Sequence, residues 1–172
     1  WVVARKTDGT LWAWGDNERG ELGQNQPDNS NQSSPIQIPG TTWTKGLSGS
    51  SNAPKATKTD GTLWTWGWNH GGNLGQNQGP GQLTALSSPV QIPGTNWVTD
   101  EDKVKRNNNY GSAWLKTDGT LWVWGIDSSG SLGQNSEVDY SSPVQVPGTN
   151  WSLLSQGRSI TAAIKTDGTL WT

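Results

Sequence analysis

The chain has 172 residues, 12 Lys and Arg against 14 Asp and Glu, a net charge of −2, 13 Trp, a single His and no Cys. Without cysteine there is no disulfide, thiol nucleophile or thiolate metal site, and one histidine excludes a histidine-cluster centre. The near-neutral balance leaves no basic footprint for nucleic acid, and no run of about 18 apolar residues could form a membrane-spanning helix.

The chain opens on a short strand, Val2 to Lys6. Thr7-Asp8-Gly9-Thr10 follows, and its Asp-Gly pair predicts a two-residue hairpin turn, because Gly accepts a positive φ. Leu11, Trp12, Ala13 and Trp14 form the return strand. Residues two apart share a face, so Leu11 and Ala13 point one way and Trp12 and Trp14 the other. Both faces are apolar, which predicts a strand covered on both sides. Next comes a loop of the form WGxNxxGxLGQN, with Gly20 and Gly23 as joints and Leu22 as a buried anchor. Its Asn17 and Gln24-Asn25 are expected to satisfy loop backbone groups. Ser33 to Gly40 (SSPIQIPG) reads as a short strand with one buried face, bounded by proline at both ends. The unit closes on Gly-Thr-X-Trp, carrying Trp43, and a variable strand.

The same text then recurs. KTDGTLW stands at Lys6, Lys58, Lys116 and Lys165, the glycine joints return at Gly72, Gly75, Gly130 and Gly133, and Trp97 and Trp151 repeat Trp43. The units run approximately 1–52, 53–110, 111–159 and 160–172, the last incomplete, within one domain spanning 1–172. Length differences fall in loops, of which Asp100 to Asn109 is expected to be solvated. About four short strands per unit of about 50 residues, with no amphipathic helix, predicts an all-β fold, a β-propeller of four-stranded antiparallel blades. A β-solenoid, the main competitor, has shorter coils and fewer turns. The chain begins and ends inside strands and is read as a fragment of a longer protein.

The pattern A-x-K-T-D-G-T-L-W-x-W-G-x-N-x-x-G-x-L-G-Q-N resembles the repeat of the regulator of chromosome condensation family over the whole chain. That resemblance implies about three and a half blades of a seven-bladed propeller, the remaining blades coming from other parts of the same chain. The wording LWxWG…SSPVQIPGTxW further resembles tandem repeats of bacterial surface proteins and bacteriophage virion proteins.

No positioned catalytic set is present, so no catalytic, cofactor or metal residue is expected. Asp8, Asp60, Asp118 and Asp167 sit in Asp-Gly turns, where the side chain caps its own backbone. Asp16, Asn17 and Glu18 suggest a calcium loop, but the equivalent residues Trp68, Asn69 and His70, then Ile126, Asp127 and Ser128, do not repeat the carboxylates. Aromatic and loop residues that break the repeat are the candidate binding set: Trp68, His70, Tyr110, Trp114 and Tyr140, which could stack on sugars or enter a partner's pocket. The reading is a non-enzymatic structural or adhesive module of a virion or an extracellular bacterial surface. Its expected partners are other virion or surface proteins and host glycan, with neither nucleic acid nor membrane insertion. The alternative is a propeller that inhibits or regulates a partner enzyme.

Overall fold

The computed structural model describes residues 1–26, 29–48, 52–79, 84–100, 102–106, 111–157 and 160–172. The first sheet has the order β1 (Val2–Arg5), β2 (Leu11–Gly15), β3 (Gln32–Ile38). The second is β4 (Trp43–Ser48), β5 (Lys55–Lys58), β6 (Leu63–Trp68), β7 (Ala85–Ile92). In the third, β9 (Gly111–Leu115), β10 (Leu121–Gly125) and β11 (Tyr140–Gln145) lie side by side. The fourth joins β8 (Val104–Arg106), β12 (Trp151–Gln156), β13 (Thr161–Lys165) and β14 (Leu170–Trp171) in that order. The second sheet shows the whole blade, and it begins one strand earlier than the sequence unit. The Gly-Thr-X-Trp strand of one unit opens the next unit's blade, so every junction is crossed by the chain itself.

The turns differ from the expected two-residue form. Gly9 N–H donates to the Lys6 carbonyl (3.1 Å) and Lys6 N–H to the Thr10 carbonyl (2.9 Å). That is a three-residue loop whose third residue, Gly9, takes φ +85°, a turn followed by a left-handed residue. Asp8 Oδ1 accepts from both Thr10 N–H (2.9 Å) and Thr10 Oγ1 (2.7 Å), and Trp12 Nε1 donates to Thr10 Oγ1 (2.9 Å). The same three bonds recur at Asp60, Asp118 and Asp167. Proline also departs from expectation, because Pro35 lies inside β3 rather than at its start. It is tolerated there because β3 is an edge strand beside a register shift at Ala13/Gly15.

The cores lie between sheets. Leu11, Ala13, Leu22 and Ile38 of the first blade pack on Trp43, Ala56 and Trp66 of the second. Leu63 and Ile92 meet Trp97, Trp114 and Trp124 of the third, as strands apolar on both faces require. Each buried indole removes about 150–250 Å² from water, an upper bound of roughly 4–6 kcal/mol before entropy.

Two interactions recur, one across the junctions of the first three blades and one within the second, third and fourth blades. Trp66 Nε1 donates to the Glu21 carbonyl (2.7 Å) and Trp124 Nε1 to the Asn73 carbonyl (2.9 Å), each reaching back to the preceding blade's loop. The loop floor is Gly23 or Gly75, where a Cβ would stand 3.1 Å from the indole nitrogen. In the second interaction a lysine is clasped by two tryptophans. Lys58 Nζ lies 4.7 Å from Trp43 and 3.8 Å from Trp64, whose rings meet edge-on at 6.2 Å and 80°. Lys116 repeats this with Trp97 and Trp122, and Lys165 with Trp151 and Trp171.

The third blade breaks the pattern. Val98 N–H donates to the Leu115 carbonyl (2.9 Å), after which the chain leaves β9. The stretch expected to be a solvated loop instead supplies β8, which pairs in parallel with β12 (Val104 opposite Leu154). Two side chains close the edge that β8 vacates. Gln156 Oε1 accepts from Ala113 N–H (3.1 Å), and Trp114 Nε1 donates to the Val98 carbonyl (3.0 Å). Trp114 stands where the other units have Ala4, Ala56 and Ala163.

Gly75 takes φ +67°, and a Cβ there would stand 3.1 Å from the Trp124 indole nitrogen. Gly75→Ala therefore incurs a left-handed cost of about 1–2 kcal/mol and crowds an indole, about 1–3 kcal/mol more. Urea unfolding should show the sum of the two losses. A loss no larger than the backbone cost alone would contradict the packing described.

Candidate functional site

The loops that follow β2, β6 and β10 are held by their own side chains. Asn17 Oδ1 accepts from Leu22 N–H (3.0 Å), Asn69 Oδ1 from Leu74 N–H (3.1 Å) and Asp127 Oδ1 from Leu132 N–H (3.0 Å). Gln24 and Gln76 donate across to the Gln37 and Gln91 carbonyls (2.8 and 3.1 Å). Asn25, Asn77 and Asn135 adopt φ of +53°, +57° and +54°, a region asparagine tolerates. Asn25 and Asn77 then donate N–H to the Ser87 and Ser141 carbonyls of the following blade (2.6 and 2.7 Å). The expected backbone role of these amides is therefore present, and it locks loop to neighbouring sheet.

On this scaffold one cluster crosses the first junction. Trp68, at the end of β6, is half-buried and stacks on His70, with centroids 4.5 Å apart and planes 38° from parallel. The exposed Arg19 of the preceding loop lays its guanidinium over the Trp68 ring at 5.6 Å. Arg19 is anchored through its backbone, whose N–H donates to Glu21 Oε2 (2.7 Å). The result is an aromatic plate with a cation on top and an imidazole beside it, held by two blades.

The remaining predicted residues do not join this cluster. Trp114 is fully buried in β9, so it is a core residue and not a loop aromatic; its size replaces the strand that leaves the third blade. Tyr140 begins β11, half-buried against the core between the second and third blades and the core between the third and fourth. Tyr110 lies outside the described residues. Arg19 was missed because it reaches Trp68 only across units, at a position occupied by Gly71 and Ser129 in the other copies. Among the described residues no group of three or more His, Cys, Asp or Glu converges as metal ligands.

Electrostatics separate the acids by role. The Thr62 hydroxyl and then its N–H hold the Asp60 carboxyl below its ordinary value, with Thr10, Thr120 and Thr169 doing the same for Asp8, Asp118 and Asp167. Burial pushes the Lys58 ammonium down, opposed by Asp60. Glu21 is fully buried beneath the cluster, and burial raises its carboxyl above the ordinary 4.5. Its Oε1 has no hydrogen-bond partner.

The regulator of chromosome condensation (RCC1) repeat model matches residues 8–50 and 118–164, just over half of the chain. The chain belongs to that family. Among curated relatives of this RCC1-repeat chain, Protein RCC2 homolog of Danio rerio is 30% identical over 141 residues, covering 81% of this chain and 27% of the relative. The human E3 ubiquitin-protein ligase HERC2 is 25% identical over 143 residues, 83% of this chain and 3% of that protein. The chain thus spans under a third of these relatives. Among solved structures, Prp20p from Saccharomyces cerevisiae superposes with a TM-score of 0.74 at 17% identity, over 94% of this chain and 40% of its own. Human WBSCR16 gives 0.72 at 20%, over 98% and 44%. These likenesses establish the fold, a partial RCC1-type β-propeller.

Folding raises the Glu21 pKa, so its ionisation costs stability as pH rises through 4.5, and the cost is absent where the carboxyl is protonated in both states. Glu21→Gln should therefore raise the melting temperature at neutral pH, with the gain disappearing near pH ~3. A gain independent of pH would contradict a buried charge as its cause.

Proposed function

We propose that this chain is a non-catalytic protein-binding propeller module that contacts its partner through the loop face carrying Arg19, Trp68 and His70. The observation that carries this reading is the Arg19–Trp68–His70 stack. Tryptophan and arginine dominate binding hot spots, and here both are pre-positioned by rigid blades, so little side-chain entropy is lost on contact. The carboxylates in the four turns are engaged in capping, so they supply no general acid or base, which supports a binding role over a catalytic one. The similarly folded Prp20p supports a protein partner, since that protein binds Gsp1p and histones and is bound by Kap60.

A regulatory contact with a partner enzyme and an adhesive contact at a bacterial surface or virion both use such a face. The repeat wording, which resembles surface and virion proteins, favours the second setting.

Trp68→Ala combined with Arg19→Ala should leave the chain folded, at a cost of about 1–3 kcal/mol from the partly buried Trp68, since Arg19 is exposed. Affinity capture from the source cell should nevertheless lose its partner, by about 10-fold or more in retained protein. Unchanged capture by the double variant would reject this face. Turnover of any substrate abolished by a loop substitution would reject the non-catalytic reading.

A further inference from the structure

The loops after β2, β6 and β10 are each built on one side chain, Asn17, Asn69 or Asp127, and the third copy has changed its chemistry. In the first two copies the carboxamide works in both directions. Its Oδ1 accepts from the leucine N–H, while its Nδ2 donates back into the loop, from Asn17 to Ser30 Oγ (2.8 Å) and from Asn69 to the Gln78 carbonyl (2.9 Å). Asp127 keeps the first bond, from Leu132 N–H (3.0 Å). It cannot make the second, because a carboxylate oxygen stands where its counterparts carry an amide nitrogen.

That oxygen is buried. Asp127 is 5% exposed, and its Oδ2 has no hydrogen-bond partner among the described residues. Ser136 Oγ, in the same loop, is also buried without a partner among them. Ser136 follows Asn135 as Gln78, the acceptor in the second copy, follows Asn77. In register, then, the first two copies set an N–H against an oxygen, and the third sets oxygen against oxygen. A buried carboxylate left in that state is costly unless positive charge meets it.

A second amide has changed with the first. Asn17 N–H donates to Asn31 Oδ1 (2.9 Å) and Asp127 N–H to Asp139 Oδ1 (2.8 Å), so the pair Asn17 and Asn31 is answered by Asp127 and Asp139. With the exposed Glu137, the stretch from Ile126 to Tyr140 carries three carboxylates and no Lys, Arg or His.

We propose that Asp127 and Asp139 hold a calcium ion in the third loop, with Ser136 Oγ, loop carbonyls and water as its neutral ligands. Two carboxylates suffice, because calcium takes about six to eight oxygens and accepts carbonyls and water among them. Magnesium demands near-octahedral geometry and gives up its water reluctantly, so an irregular loop favours calcium. The ion does for Asp127 what the amide nitrogen does for Asn17 and Asn69. The loop it closes leads directly into Ser141, whose carbonyl accepts from Asn77 N–H of the preceding loop (2.7 Å), so calcium also steadies the junction of the second and third blades.

Thermal unfolding of the full 172-residue chain in calcium chloride and in EGTA tests this. A site with two carboxylates belongs at the weak end of calcium affinity, about 0.1–1 mM. Calcium at about 10 mM should therefore raise the melting temperature by about 3–10 °C over the chelated protein, and magnesium by less. Calorimetric titration should find one ion per chain. Asp127→Asn restores the amide of the other copies, so it should melt in EGTA no lower than the wild type and should lose the calcium response. Asp139→Asn, at an exposed position, should stay folded and weaken calcium binding by about 10-fold or more. Melting temperatures that coincide in calcium and EGTA would overturn the inference. So would a calcium response that survives Asp127→Asn, or one that magnesium reproduces in full.

Discussion

The fold depends on an indole N–H delivered from one blade to the loop carbonyl of the blade before it. Trp66 and Trp124 each satisfy a polar atom that burial would otherwise leave unpaired, while their rings cover the preceding blade's Leu22 or Leu74 loop. The contact leaves no room for a side chain beneath the ring, hence Gly23 and Gly75. It also demands that the loop hold its shape, hence the Asn17 and Asn69 carboxamides bonded to Leu22 and Leu74 N–H. One bond therefore dictates residue choice in the strand, the loop and the turn at once.

The lysine clasp adds a second constraint on a different set of tryptophans, Trp43 with Trp64, Trp97 with Trp122 and Trp151 with Trp171. An ammonium between two indoles, itself partly desolvated, is attracted by both ring faces, a contribution of about 0.5–2 kcal/mol depending on exposure. Because that clasp and the indole bond are built from repeat positions, the residues between them are free to vary. Arg19, Trp68 and His70 occupy such positions. A rigid periodic frame with variable loop residues is how a repeat fold acquires a binding face without disturbing its core.

Much of this was legible in the sequence. The seven-residue KTDGTLW copies announce the repeat, and the two apolar faces of the Leu-Trp-x-Trp strand require neighbours on both sides, which the structure supplies at β6 and β10. Pairing across units was not legible. Trp114 breaks the repeat, as a binding aromatic would, yet it breaks it because β8 leaves its blade and the vacated space needs a large side chain. The parallel partner of β8 lies about 50 residues ahead, beyond any local pattern. Arg19 meets Trp68 over a similar gap. The Asp-Gly signal located each hairpin but not its loop length, since Gly in the left-handed region closes two-residue and three-residue turns alike.

The most direct test of the central claim is hydrogen exchange at the tryptophan side chains, read by NMR on the indole Nε1–H signals. Trp66 and Trp124 should exchange as slowly as the backbone amides of the core strands, because their N–H groups are buried and bonded across the junction. Trp171 should exchange rapidly, because its N–H meets only the exposed Thr169 hydroxyl. If Trp66 and Trp124 exchange as fast as Trp171, the blades are not joined through these bonds and the account fails.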